Sequence, residues 1–203
     1  MQGYKVMSLI GTSAARFSAR AALFAGLTLA AATATAADTA TKIQRYDVQS
    51  AGLNAGAAKT IVNAPEQVVR GVVTDFGRYD TFISRFRAAK IVGRVGDKTD
   101  VYLQVPIMKG TVKIWGVVRF DPPKPSGNDQ VITGKLVQGN VKRLDAVWRI
   151  RKVSAEQTEL RLELLIVPQL PLPDSMVLPE LRNAAAKAVD GSRNEAERRR
   201  ATL

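Results

Sequence analysis

PDSMVLPELRNAAAKAVDGSRNEAERRR, residues 173–200, is the stretch that decides how this chain folds. Leu178, Leu181, Ala185 and Ala188 recur at steps of three and four, which is the spacing of one helical face. The same spacing continues to Ser192, so this face spans about four helical turns. The spacing therefore predicts one long C-terminal helix.

The two ends of this predicted helix carry polar signals, and its face is built from small side chains. Asp174 and Ser175 are suitable N-terminal caps, and the arginines at 198–200 complement the carbonyl groups exposed at the other end. After Leu181 the apolar face is mostly alanine, where a helix that only fills a core carries more leucine and isoleucine. Two interpretations stay open: the alanines let a sheet approach closely, or they leave a space beneath the helix.

The composition restricts the chemistry of the protein, because its 203 residues include neither cysteine nor histidine. Without cysteine there is no disulfide, no thiolate nucleophile and no thiolate metal ligand. Without histidine the commonest general base and zinc ligand are missing, so Ser-His-Asp and Cys-His mechanisms are excluded. We predict no metal site and no cofactor, and any catalysis would depend on carboxylates, Lys, Tyr or Arg.

The first 36 residues have the pattern of a secretory signal peptide. Three basic residues and no acidic residue accompany an apolar run at residues 21–32, and Ala34-Thr35-Ala36 is a small-x-small cleavage site. Twelve apolar residues are short of the roughly 20 that span a bilayer. We therefore predict cleavage after Ala36 and a periplasmic or secreted protein; an uncleaved membrane anchor is the alternative.

The charge of the chain is strongly positive. Thirty basic and 18 acidic residues give a net charge of +12, and removal of the signal peptide lowers it to +9. Such a balance favours anionic partners such as the headgroups of a membrane surface, and export argues against nucleic acid. The alternative is a well-solvated basic surface without a partner.

The segment after the signal peptide leads into short elements. Residues 37–56 are polar and small and predict an N-terminal tether, or else a first edge strand around 43–48, before a domain at residues 57–203. KTIVN at 59–63 predicts a strand, and Pro65 starts a short helix. A second short helix follows, with Phe76, Tyr79 and Phe82 spaced for one face, most simply as core.

From Arg87 onward the periodicity changes from helical to alternating. Strands are predicted at residues 87–95, 100–108, 111–120, 130–138, 142–153 and 158–167. Short turns between them predict an antiparallel meander with one apolar and one charged face. The charged face mixes signs and is predicted to be solvated: Arg143, Asp145, Arg149, Arg151, Glu159, Arg161 and Glu163. Only the C-terminal helix is long enough to cover the apolar face, so the fold class is α+β.

Several short segments resemble a known family. They are Asn63-Ala64-Pro65-Glu66-Gln67-Val68, Val73-Thr74-Asp75-Phe76-Gly77-Arg78-Tyr79, Asp145-Ala146-Val147-Trp148 with Thr158-Glu159-Leu160, and Pro171-Leu172-Pro173 before the helix. With the order of elements, these resemble the START-like helix-grip superfamily (SRPBCC), and within it the polyketide cyclase/dehydrase and coenzyme Q-binding group. The resemblance implies a curved antiparallel sheet wrapped around the C-terminal helix, with two short helices after the first strand. It also implies an apolar ligand between sheet and helix, and no fixed catalytic triad.

Three functions follow as hypotheses. The first is an exported protein that binds or carries a lipid-like molecule. Its predicted site residues are Val112, Ile114, Val118, Phe120, Trp148, Leu162, Leu164, Leu181, Ala185 and Ala188. The second is a cyclase- or dehydrase-type enzyme that uses Tyr102, Lys135 or a carboxylate turned inward. Among these, alternation allows an inward position only for Lys135, beside Val131, Thr133 and Val137. The third is a protein with a filled core that binds acidic membranes or an envelope partner through arginines 198–200 and the charged sheet face.

Overall fold

The structure is a computed structural model that describes residues 42–50, 52–107, 112–169 and 172–202. The predicted signal peptide at residues 1–36 lies outside the described residues. The strands are β1 Gln44–Ser50, β2 Leu53–Val62, β3 Ala88–Val95, β4 Lys98–Ile107, β5 Val112–Phe120, β6 Lys124–Ser126, β7 Asp129–Gly139, β8 Val141–Lys152 and β9 Thr158–Pro168. The helices are α1 Glu66–Val73, α2 Tyr79–Phe82 after a 3₁₀ turn at Phe76–Arg78, and α3 Asp174–Arg200.

The strands form one nine-stranded antiparallel sheet in the order β1-β2-β9-β8-β7-β5-β4-β3, with the short β6 paired to β7. From β3 to β9 the long strands form the predicted meander, because each short turn returns the chain beside the strand that precedes it. The β1–β2 hairpin joins this meander at its last strand, in a register that runs from Gly56 opposite Leu164 to Val62 opposite Thr158. β1 pairs with β2 over its whole length. Of the two predictions for this segment, a tether or an edge strand, the structure therefore shows the edge strand.

Helix α3 is continuous over 27 residues and lies across the concave face of the sheet, mainly against β2 and β9. The predicted capping by Asp174 and Ser175 is wrong: Pro173 takes the N-cap position and no side chain caps the helix. Asp174 instead accepts a hydrogen bond from Asn54 on β2, at 2.8 Å. Tertiary contact with the sheet has therefore replaced the local cap.

Two glycines let α3 approach its neighbours closely. A Cβ atom at Gly56 on β2 would lie 2.4 Å from the backbone nitrogen of Arg182, and one at Gly191 would lie 2.3 Å from the carbonyl oxygen of Phe82. No side chain fits at such distances, because van der Waals contact between heavy atoms begins near 3.5 Å. Along this side of the helix, the small residues therefore permit direct contact of helix backbone with sheet and helix.

The far end of α3 is tied to the α1–α2 region by ion pairs. Arg199 bridges Glu195 on its own helix, at 2.7 Å, and Asp75 in the turn before α2, at 2.6 Å. Arg198 also pairs with Glu195, and Arg200 donates to the carbonyl oxygen of Asn63. Arg199 and Arg200 therefore hold the helix end in place within the fold.

The convex face of the sheet carries the predicted mixture of charges. Arg149 pairs with Glu163 at 2.9 Å and Arg151 with Asp129 at 2.6 Å, both across neighbouring strands. Such half-exposed pairs add little stability each. Within the described part of the chain, no helix is both long and apolar enough to cross a membrane.

Candidate functional site

An apolar cavity of about 430 Å³ lies between the sheet and the N-terminal half of α3. The sheet contributes Leu103 and Val105 from β4, Ile114, Gly116, Val118 and Phe120 from β5, Leu144, Ala146 and Trp148 from β8, and Leu162, Leu164, Ile166 and Pro168 from β9. The helix side contributes Leu172, Met176, Val177, Glu180, Leu181, Ala184 and Ala188, and the segment around α2 contributes Tyr79, Ile83, Arg85 and Phe86. The cavity has the volume and apolar lining typical of a small-molecule site.

Small residues on facing walls keep this space open. Ala184 and Ala188 line it from the helix, while Gly116 and Ala146 line it from the sheet. Larger side chains at these positions would interdigitate and fill the space, as in an ordinary core. Both interpretations of the alanine-rich helix thus hold on one helix: around Gly191 the helix packs closely, and two turns nearer its N-terminus Ala184 borders the cavity.

Eight of the ten predicted site residues lie on the cavity wall: Ile114, Val118, Phe120, Trp148, Leu162, Leu164, Leu181 and Ala188. Ala185 does not; it is fully buried in the core. Its place on α3 explains the difference, since it is about 100° round the helix from Ala184. Val112 begins β5, and its side chain lies outside the described residues. Contact of these residues with a ligand stays a prediction.

The sequence interpretation missed two parts of the wall. Leu103 and Val105 belong to the apolar alternation of β4, so the same reasoning that selected β5 could have found them. The segment with Ile83, Arg85 and Phe86 has no periodicity that would indicate its position. It reaches the cavity only because α2 packs beside α3.

The deep end of the cavity contains one polar group, the phenol of Tyr79, which is already engaged. Its hydroxyl donates to the carbonyl oxygen of Val73 and hydrogen-bonds with the indole of Trp148. Burial raises the pKa of Tyr79 far above its usual range, and the smaller opposing effect of Trp148 does not offset it. The phenol therefore stays neutral and is not a general base at physiological pH.

The other end of the cavity reaches solvent and carries an ion pair. Nη2 of Arg85 lies 3.0 Å from Oε2 of Glu180 on α3. The Glu180 side chain is 56% exposed and that of Arg85 only 23%. The neighbouring Leu172 and Met176 are exposed apolar residues. This end is therefore the mouth of the cavity.

Lys135 and Tyr102 both lie outside the cavity, which corrects the prediction that Lys135 points inward. Lys135 is exposed because β7 turns Ile132 and Gly134 inward, where the ring of Phe120 fills the space beside Gly134. Tyr102 is on the opposite face of the sheet and stacks on Trp115, with ring centroids 6.2 Å apart. The described residues also contain no cluster of three or more acidic side chains that could hold a metal ion.

A curved antiparallel sheet closed over a long C-terminal helix, with two short helices after the first strand pair, defines the START-like helix-grip fold. Residues 62–192 match the family model described as polyketide cyclase / dehydrase and lipid transport. Because this match spans more than half of the chain, the protein belongs to that family.

Solved structures share the fold at low sequence identity. The STAR-related lipid transfer protein of Xanthomonas axonopodis has a TM-score of 0.64 at 13% identity, over 76% of this chain and 93% of that one. The Zhui aromatase/cyclase of Streptomyces sp. R1128 has a TM-score of 0.60 at 18% identity, over 78% and 96%. Human StAR-related lipid transfer protein 5 has a TM-score of 0.62 at 12% identity, over 79% and 88%. No curated protein matches the sequence. The fold is thus shared by a transfer protein and a cyclase, and does not by itself decide between them.

Proposed function

We propose that this protein, after export, binds and carries a hydrophobic, lipid-like small molecule in the cavity beneath α3. The observation that carries the proposal is the cavity itself, about 430 Å³ of space lined almost entirely by apolar side chains and open at one end. Pockets of roughly 300–1,000 Å³ with few polar groups suit small ligands of this kind. An open mouth allows the ligand to enter and leave without unfolding of the helix.

The alternatives have less support from the site. A cyclase or dehydrase needs a proton donor or acceptor on the wall, and the described ionisable wall residues are Tyr79, Arg85 and Glu180. The phenol of Tyr79 is engaged, and the other two pair with each other at the mouth. A protein with a filled core would not leave this volume empty. The positive charge of the chain supports visits to anionic membranes, where a lipid-like ligand is collected or delivered.

The test is to purify the chain after periplasmic expression and to compare its native mass with its mass after denaturation. We expect a bound molecule in stoichiometric amount, which organic extraction then identifies as lipid-like. An apoprotein that also fails to bind apolar fluorescent probes would contradict the proposal. Turnover of a polyketide-like substrate by the purified protein would favour the enzyme instead.

A further inference from the structure

The mouth of the cavity places one positive and one negative side chain at the border between apolar wall and water. Arg85 belongs to the segment between α2 and β3, and Glu180 to the second turn of α3. The two are 95 residues apart in the chain and join at 3.0 Å. A ligand that fills the cavity with its apolar part would bring its head group to this pair.

The two partners are held unequally. The Arg85 side chain is 23% exposed, whereas Glu180 is 56% exposed. A guanidinium has five N–H donors in a planar fork that matches a carboxylate, and within the described residues one of those of Arg85 is used, by Glu180. Glu180 can turn to water with little loss, since exposed ion pairs contribute little. Arg85 is more enclosed and needs an anionic partner when Glu180 leaves.

These contacts point to the ligand class: we infer that Arg85 is the head-group anchor of the cavity, and that it selects a long-chain molecule with one carboxylate, whose head replaces Glu180. The inference rests on the proposed function. Glu180 pairs with Arg85 through its carboxylate and so shows which chemistry fits there. Its carboxylate returns to Arg85 when the ligand leaves.

A cationic head bound by Glu180 is the less favoured arrangement. Glu180 is more than half exposed, so water already solvates it and a cation gains little there. Tyr79 at the deep end cannot take the head group, because its hydroxyl is bonded to Val73 and Trp148. The positive net charge of the chain also attracts anions.

The experiment compares cis-parinaric acid with its methyl ester, which have the same apolar chain and differ in head-group charge. Both are titrated by fluorescence at pH 8 into the wild-type protein and into the variants Arg85→Gln, Glu180→Gln and Arg182→Gln. Arg182 is the matched control, because it pairs with Asp47 at 2.7 Å and is not on the cavity wall. Thermal unfolding of each variant checks that it folds.

We expect the wild-type protein to bind the acid about tenfold or more tightly than the ester, as charge-assisted hydrogen bonds permit. Arg85→Gln weakens binding of the acid far more than binding of the ester and so removes this preference, Glu180→Gln strengthens binding of the acid several-fold, and Arg182→Gln changes neither. Equal wild-type affinity for acid and ester overturns the inference and leaves the proposed function standing. Weaker binding of the acid by Glu180→Gln, or better competition by dodecylamine than by dodecanoate, also overturns it. Failure to bind either probe contradicts the proposed function itself.

Discussion

At the scale of single residues, two glycines show opposite roles. Gly56 is on β2, where a Cβ atom would meet the backbone of α3 at 2.4 and 2.5 Å, while at Gly71 in α1 a Cβ atom would meet nothing within 4 Å. The first position needs glycine for contact. At position 71 no such contact requires glycine, and the glycine lowers the helix propensity of α1.

This difference makes a matched prediction. We expect Gly56→Ala to lower the free energy of unfolding by about 1–3 kcal/mol, because the helix must move away from the sheet. Gly71→Ala is expected to raise it by about 0.5–1 kcal/mol, because alanine loses less conformational entropy in a helix. Urea denaturation of both variants measures the change. Equal effects of the two substitutions would contradict the contact at Gly56.

Glu195 is the second residue whose chemistry leads to a prediction. Its side chain is 7% exposed, and hydrogen bonds from Arg198 and then Arg199 hold the pKa of its carboxyl below the usual 4.5. A lowered pKa in the folded state adds stability above pH 4.5, and this stability is lost as the pH falls below that value. Asp100, Asp121 and Asp129 also have lowered pKa values, so acid lability has several contributors.

Replacement of Glu195 measures how much this one carboxyl contributes to the pH-dependent stability. Glu195→Gln is expected to lower the free energy of unfolding at pH 7 by about 1–3 kcal/mol. The difference from wild type should shrink as the pH falls below 4.5, because the wild-type carboxyl then becomes neutral. Glu156→Gln is the control. Glu156 pairs with Arg200, but its side chain is 60% exposed, so this pair contributes little to stability. A difference independent of pH would show that the Glu195 charge is irrelevant.

At the scale of elements, helix α3 both closes the fold and borders the cavity. Its C-terminal half packs on α1 and α2, where Gly191 touches the backbone of Phe82. Its N-terminal half contacts β2 at Gly56 through the backbone of Arg182, and on the side of Ala184 it borders the cavity. One helix therefore divides close packing and the cavity wall between different residues.

This division predicts that binding can be blocked without loss of the fold. Ala184→Leu adds a side chain to the cavity wall, whereas Asn183→Leu adds the same side chain on the exposed face. We expect Ala184→Leu to weaken binding of an apolar probe about tenfold or more, which corresponds to about 1.4 kcal/mol. Asn183→Leu should leave it unchanged, as measured by probe fluorescence with circular dichroism as the check of folding. If both variants bind like wild type, the ligand does not occupy this cavity.

At the scale of the whole molecule, many of the arginines on the described surface are paired with acidic residues. Arginines on the sheet face and at the end of α3 have acidic partners, so they are less free for a membrane than their number suggests. Binding to anionic vesicles would then rest on the overall excess of positive charge. Such binding is long-range and falls as salt rises.

Export is the prediction that belongs to the entire chain. Expression in a bacterial host is expected to give a periplasmic protein that begins at Ala37, because the small-x-small site ends at Ala36. Intact mass and N-terminal sequencing measure the processing. As a control, Ala34→Lys and Ala36→Lys together should prevent cleavage. A wild-type protein that keeps residues 1–36 and fractionates with the membrane would support the uncleaved anchor.

The sequence by itself determined the C-terminal helix, the meander and the apolar face of the sheet, because periodicity shows which side of an element is apolar. It also indicated eight wall residues, six by the alternation of strands and two by the spacing of the helix. It predicted Lys135 inward, where the structure has it exposed, and Ala185 on the wall, where the structure has it buried in the core. Periodicity identifies the apolar face of an element. It does not show how a strand is aligned with its neighbour, and it does not separate two helix residues that lie about a quarter turn apart.

Only the tertiary structure decided where the sheet closes, which small residues meet a neighbouring backbone and which border the cavity. β2 joins β9, and Arg85 joins Glu180, across about a hundred residues of chain. These pairings depend on the packing of α2 and α3 on a curved sheet, which no local pattern records. A small side chain leaves room beside its residue, and the packing of the opposite element decides whether that room is filled.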